Sequence, residues 1–252
     1  MDPDTDMGGS QQRFPETRHS AIIAARSNNR EERQRAFAAV VESYWKPTYK
    51  YIRIKWQATN EDAKDLTQGF FAIALEKNYF ATFDSEKASF QTFLRTCLDR
   101  FIANQKKAED RLKRGGGLTH FSLDFSGAEA ELDAQQLASS IAPDEFFHRE
   151  WVRSLFAQAV ETLRLRYHEA GRSVHFKLFT LYDLHDDDPE RPAISYASLA
   201  REFDLKTTDV TNYLAAARKD FRNIVLEHLR LMTASDAEFR NEARSVLGVD
   251  AR

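Results

Sequence analysis

Apolar residues recur at three- and four-residue steps through most of this chain, the period of one face of an α-helix. Phe37, Val40, Val41, Tyr44 and Trp45 mark such a face in a segment that reads as helical from Arg18 to Trp56. Pro47 is expected to kink or restart that helix. Ala63, Leu66, Phe70, Ile73 and Ala74 mark a second helix reaching about Lys77, capped by Thr59 or Asn60. Asp62 lies in its first turn, where a carboxylate complements the positive end of the helix dipole. The clearest helix follows Ser89, with Phe90, Phe93, Leu94, Cys97, Leu98, Phe101 and Ile102 in register. Further on, Val152, Leu155, Phe156, Ala159, Val160 and Leu163 define a face that runs out before Gly171, and Val174, Leu178, Leu181 and Tyr182 define the next. Ser195 to Phe203, a helix opened by Thr207 or Thr208, and a last helix from Ser235 to Gly248 complete the pattern; SDAE at 235–238 has the capping-box form. No strand pattern or internal repeat emerges, so the expected fold class is all-α.

Charge divides the chain more sharply than periodicity does. The 252 residues sum to a formal charge of -3, a total that mildly disfavours a nucleic-acid binder. The total hides segregation: residues 95–114 hold seven Lys/Arg against three Asp/Glu, and residues 121–150 hold seven Asp/Glu against Arg149 alone. The acidic stretch follows Gly115-Gly116-Gly117 and lacks clear periodicity, so it reads as a linker with short helical pieces. The expected organisation is a flexible tail (1–17), a helical domain (18–114), an acidic linker (115–142), a second helical domain (143–232) and a helical extension (233–252). A single cysteine excludes disulfides and thiolate zinc sites and fits a reducing compartment. No apolar run approaches the ~20 residues of a membrane span, and the first residues lack the features of a signal peptide.

Two segments carry candidate chemistry. In SYASLAREFDLKTTDVTNYLAAARKDFRNIV, 195–225, a short helix, a tight turn and a longer helix have the form of a helix-turn-helix, whose second helix enters the major groove. Leu199 and Ala200 are expected to pack on Val210 and Leu214, with Leu205 plugging the turn. Asp204 stands where such turns often need positive φ, which Asp tolerates better than most residues. An ordinary helical hairpin gives the same pattern. The second segment pairs NEDAKDLTQGFFAIALEKN, 60–78, with SFQTFLRTCLDRFIANQKKAEDRLKR, 89–114. Asp65, Leu66, Thr67, Gln68 and Phe71 resemble the signature of conserved region two in sigma-70-type initiation factors. The helix from Phe90 resembles that region's promoter-melting helix, and 195–225 resembles region four. With two such regions in order and no domain between them, the chain is similar to extracytoplasmic-function sigma factors.

That resemblance implies a bacterial, cytoplasmic factor with no catalytic activity and no cofactor, bound to core RNA polymerase and promoter DNA. Asp62, Asp65, Leu66 and Gln68 would dock on the clamp helices of the polymerase β′ subunit, and region four on the β flap. Lys64 stands where these factors commonly carry an acid, and Thr67 is a candidate phosphosite that would restore negative charge. Minus-ten readout would fall to Arg95, Thr96, Arg100, Asn104 and Lys107, with the preceding loop 83–89, and phosphate steering to Arg111, Lys113 and Arg114. Minus-thirty-five readout would fall to Lys206, Thr207, Thr208, Thr211, Asn212, Ala215, Arg218, Lys219 and Arg222. The family's basic positions are here Thr211, Tyr213 and Ala216, which shifts anchoring toward Arg218, Lys219 and Arg222. Restraint by an anti-sigma factor, a Ser/Thr kinase or the C-terminal helix is compatible with this reading. The alternative is a helix-turn-helix regulator that binds duplex DNA without polymerase.

Outside that resemblance, Lys46, Lys50, Arg53 and Lys55 interleave with aromatics over 44–56, a composition suited to single strands. The aromatics there read mainly as core and the basics as phosphate contacts. The histidines show no metal-binding spacing. The acids at 185–190 read as a solvated loop, although a helical metal-dependent hydrolase would use such a cluster. Cys97 reads as core. No paired acid/base or nucleophile constellation supports an enzyme.

Overall fold

A computed structural model describes residues 20–109, 123–134, 141–184 and 194–248. These form α-helices and one 3-10 turn, with no strand among the described residues. In order they are α1 (Ala21–Ala24), α2 (Arg30–Lys55), α3 (Asn60–Glu76), the 3-10 turn Tyr79–Thr82, α4 (Phe90–Glu109) and α5 (Phe125–Ala134). Then follow α6 (Pro143–Glu169), α7 (Ser173–Asp183), α8 (Tyr196–Glu202), α9 (Thr207–Leu231) and α10 (Asp236–Leu247). The 1–17 tail, Arg111, Lys113, Arg114, the triple glycine and the 185–190 acids lie outside the described residues.

Caps explain most boundaries. The single helix expected from Arg18 to Trp56 is interrupted because Asn29 accepts hydrogen bonds from the Glu31 and Glu32 N–H groups and starts α2 afresh. Pro47 neither ends nor restarts α2, which continues to Lys55. Thr59 caps α3 through the Asp62 N–H, and α3 closes before Asn78, at φ 50°. Pro143 opens α6 at its first turn, the position where a missing N–H costs nothing.

The expected separation into two lobes is not what the packing shows. Residues 48–52 of α2 are at most 1% exposed. Five successive residues sweep more than a full turn, so α2 is covered on every side. α1 and α3 cover it from the first half of the chain, and α5 and α6 from the second. Tyr44 of α2 lies parallel to Trp151 of α6, with ring centres 6.1 Å apart, and meets Phe90 of α4 edge-on at 5.4 Å. Tyr51 meets Phe147 of α6 edge-on at 5.5 Å. One core therefore runs from Ala21 to Ala243. The aromatic face that periodicity assigns to the first half finds its partner in the second. A smaller core holds Leu178, Leu199, Ala200, Val210 and Leu214 under α7, α8 and α9.

The acidic segment carries a short helix, as expected, but that helix is packed rather than free. Phe125, Ala128 and Leu132 recur at helical spacing and are buried, seating α5 on α2. At the other end of the chain α10 folds back on α9. Its Glu238 accepts from the N–H groups of both Ala234 and Phe90 at 2.8 Å, tying α10 to the first turn of α4. The SDAE segment caps as expected at Ser235, yet its glutamate reaches across the fold rather than closing a box.

Candidate nucleic-acid interface

α8 and α9 meet through the small core in the arrangement expected of a helix-turn-helix, with Leu205 packed against it. The turn is made by Asp204 at φ 53°, the left-handed conformation that Asp adopts more readily than most residues. Ser195 and Ser198 cap α8 reciprocally. Lys206, Thr207, Thr208, Thr211, Asn212, Ala215, Arg218, Lys219 and Arg222 are all exposed. Two of them are already engaged. Thr211 donates its hydroxyl to the Thr207 carbonyl. Arg218 is clamped by Asp183 at 3.0 Å, which holds its guanidinium pKa above the usual value, and lies 5.5 Å from the Tyr182 ring centre. The other cationic side chains exposed along α9 on this face are Lys206, Lys219 and Arg222, while exposed Arg201 of α8 donates to the Ala197 carbonyl.

On α4 the expected minus-ten residues divide into two groups. Thr96, Arg100, Asn104 and Lys107 are exposed at steps of four, four and three, which places them in one line along the helix. Arg95 is not part of that line. Its side chain is only 13% exposed, paired with Asp144 and lying 5.8 Å from the Phe147 ring centre, both on the first turns of α6. Nearby, buried Gln91 bonds to His148, which in turn touches Ser245 of α10. Burial, then Arg95, lowers the His148 pKa.

Beside the exposed line lies an open cleft of about 500 Å³ between the end of α3, the 3-10 turn and α4. Tyr79 and Phe101 give it aromatic walls, and Lys77, Arg100, Asn104 and Gln105 give it donors. Ring faces next to amide and cationic donors can stack and hydrogen-bond an unpaired base. Cys97 also lines it, with its thiol pKa pushed up by burial. The cleft has no signature in the residue pattern, because the 3-10 turn that closes it is too short to show a period.

α3 presents Glu61, Asp62 and Asp65 to solvent, while Lys64, Leu66 and Gln68 are partly covered. Lys64 pairs with Glu61 at 2.8 Å and so neutralises part of that edge. Thr67 corrects an expectation: it is fully buried, and its hydroxyl donates to the Ala63 carbonyl at 2.7 Å. A hydroxyl so placed is closed to a kinase in this fold.

The basic residues of α2 are also engaged otherwise than expected. Lys46 and Lys50 reach Glu131, Lys50 also reaches Glu150, Arg53 reaches Glu129, and Lys55 reaches Asp99. Among the described residues no group of three or more His, Cys, Asp or Glu could hold a metal ion. No described helix is long and apolar enough to cross a membrane. Compared with known proteins, the chain matches no family model, no curated protein and no solved structure.

Proposed function

We propose that this chain is a sigma factor of the extracytoplasmic-function type, which binds core RNA polymerase and directs it to promoter DNA. One observation carries the reading: a helix-turn-helix and a separate polar, basic line on α4 are both exposed on the same chain. A regulator that reads only duplex DNA has use for the first face alone. In this reading α9 takes the minus-thirty-five element in the major groove. Thr96, Arg100, Asn104 and Lys107 take the minus-ten strand, and the cleft walled by Tyr79 and Phe101 receives an extruded base.

Asp62 and Asp65, with Leu66 and Gln68 beside them, form the edge offered to polymerase. Exposed acids of this kind favour orientation and association rate more than raw affinity. Co-sedimentation with core polymerase tests the assignment. Asp62→Lys/Asp65→Lys should weaken association at least tenfold while leaving the circular dichroism spectrum unchanged. Duplex DNA binding with no affinity for core would instead identify the polymerase-independent regulator.

A further inference from the structure

The acidic helix α5 occupies α2 in a way that resembles a bound strand. Lys46, Lys50 and Arg53 share one face of α2, at steps of four and three, with Trp45 and Tyr49 alongside. Onto them α5 places a ring and two carboxylates. Phe125 lies 5.4 Å from the Trp45 ring and 5.2 Å from the Tyr49 ring, centre to centre. Glu129 accepts from Arg53 Nε at 3.1 Å and from the Tyr49 hydroxyl at 2.5 Å. Glu131 spans Lys46 and Lys50 at 2.8 Å each. The pairing moves both sides together: hydrogen bonding to Arg53 lowers the Glu129 pKa, and hydrogen bonding to Glu129 raises that of Arg53.

We propose that this face of α2 is a binding surface for single-stranded nucleic acid, and that α5 is its resident competitor. Rings alternating with cations fit a strand, which offers a base and a phosphate at each step. A peptide that offers carboxylates alone would satisfy Lys46 and Arg53 but leave Trp45 and Tyr49 uncovered; α5 covers them only through Phe125. Once displaced, α5 would not persist as a competing helix, because ten residues are too few to hold one without this contact. Lys50 keeps Glu150 as a partner when α5 leaves, so Lys46 and Arg53 are the cations set free.

The test is fluorescence anisotropy of the full chain with a labelled single-stranded oligonucleotide of non-promoter sequence. Glu129→Gln/Glu131→Gln should bind it about tenfold more tightly, with a salt dependence steeper by roughly 1–2 in log-log slope. Phe125→Ala, which withdraws the ring and leaves every charge in place, should also gain affinity. Adding Lys46→Gln/Arg53→Gln to either variant should abolish the gain. Should the double glutamine variant lose its helical circular dichroism, Phe125→Ala carries the test alone. Unchanged affinity in the folded variants, or a gain that survives loss of Lys46 and Arg53, overturns the proposal. A gain toward polyglutamate but not toward the oligonucleotide overturns the nucleic-acid assignment. The Lys46→Gln/Arg53→Gln arm separates binding at this face from binding along α4, so the outcome is independent of the initiation reading.

Discussion

Replacing Lys50 by Met would probe the joint between the two halves of the chain. Lys50 is fully buried, with its ammonium 2.6 Å from Glu150 Oε2 and 2.8 Å from Glu131 Oε2. Glu150 is itself 2% exposed, and once Lys50 is gone its remaining cation is Arg153, on the surface. Removing one member of a buried pair costs about 3–5 kcal/mol, because the other is left as a poorly compensated charge. The retained Arg153 contact places Lys50→Met near the lower end, about 3 kcal/mol. In Lys50→Met/Glu150→Met both charges go, and with them both desolvation costs, so the double variant should lie within about 1 kcal/mol of the parent. Urea unfolding measures this directly. At ~3 kcal/mol per molar denaturant, the single variant should lose about 1 M in midpoint. Trp45 and Trp56 report on the first half and Trp151 on the second, so fluorescence and circular dichroism should trace one coincident transition. A midpoint shift below about 0.3 M for Lys50→Met, or a double variant as unstable as the single, would refute this account of the pair. Two separate transitions would refute the shared core.

Burial, then the neighbouring Glu238, raises the Glu242 carboxyl from 4.5 to about 7. Between those values the unfolded chain has lost a proton that the folded chain keeps, so this group's contribution to stability falls as pH rises through the window and is flat above it. The side chain is partly exposed, so the full ~3 kcal/mol reduces to roughly 1–2 kcal/mol, and Glu242→Gln should raise the melting temperature at pH 8 and flatten its pH dependence. His148 and His228, whose pKa values burial lowers, act in the opposite sense, with stability lost as pH falls from about 6.5 through their folded values. At the helix-turn-helix, Asp204→Gly should be tolerated within about 1 kcal/mol, whereas Asp204→Val should cost roughly 1–2 kcal/mol in thermal unfolding, because a β-branched residue resists φ 53°.

Much of this was legible from residue order. The packing of Leu199 and Ala200 on Val210 and Leu214, and the left-handed Asp204, follow from local spacing and turn chemistry. So do the Thr59 cap and the buried register of α4. What spacing cannot supply is the identity of the partner across a face. Tyr44 and Tyr51 announce an apolar surface, but nothing in their period says that Phe147 and Trp151, some hundred residues later, will cover it. Arg95 follows the same rule: its helical position is polar, while the Asp144 that covers it comes from a distant turn. Phe125, Ala128 and Leu132 carry helical spacing that the surrounding acids obscured, and Thr67 stands four residues after buried Ala63, inside the apolar arc of α3.

Run-off transcription with purified core polymerase bears most directly on the proposed function. Genomic fragments would serve as template, and transcript starts would be mapped with and without this protein. The account predicts discrete starts that depend on the protein, that share two upstream elements, and that are lost in Asp62→Lys/Asp65→Lys. Arg100→Ala/Asn104→Ala should reduce their yield by about tenfold or more, since each base or phosphate contact is worth roughly 1–3 kcal/mol. Starts indifferent to the protein, or full activity after loss of both Arg100 and Asn104, would contradict it.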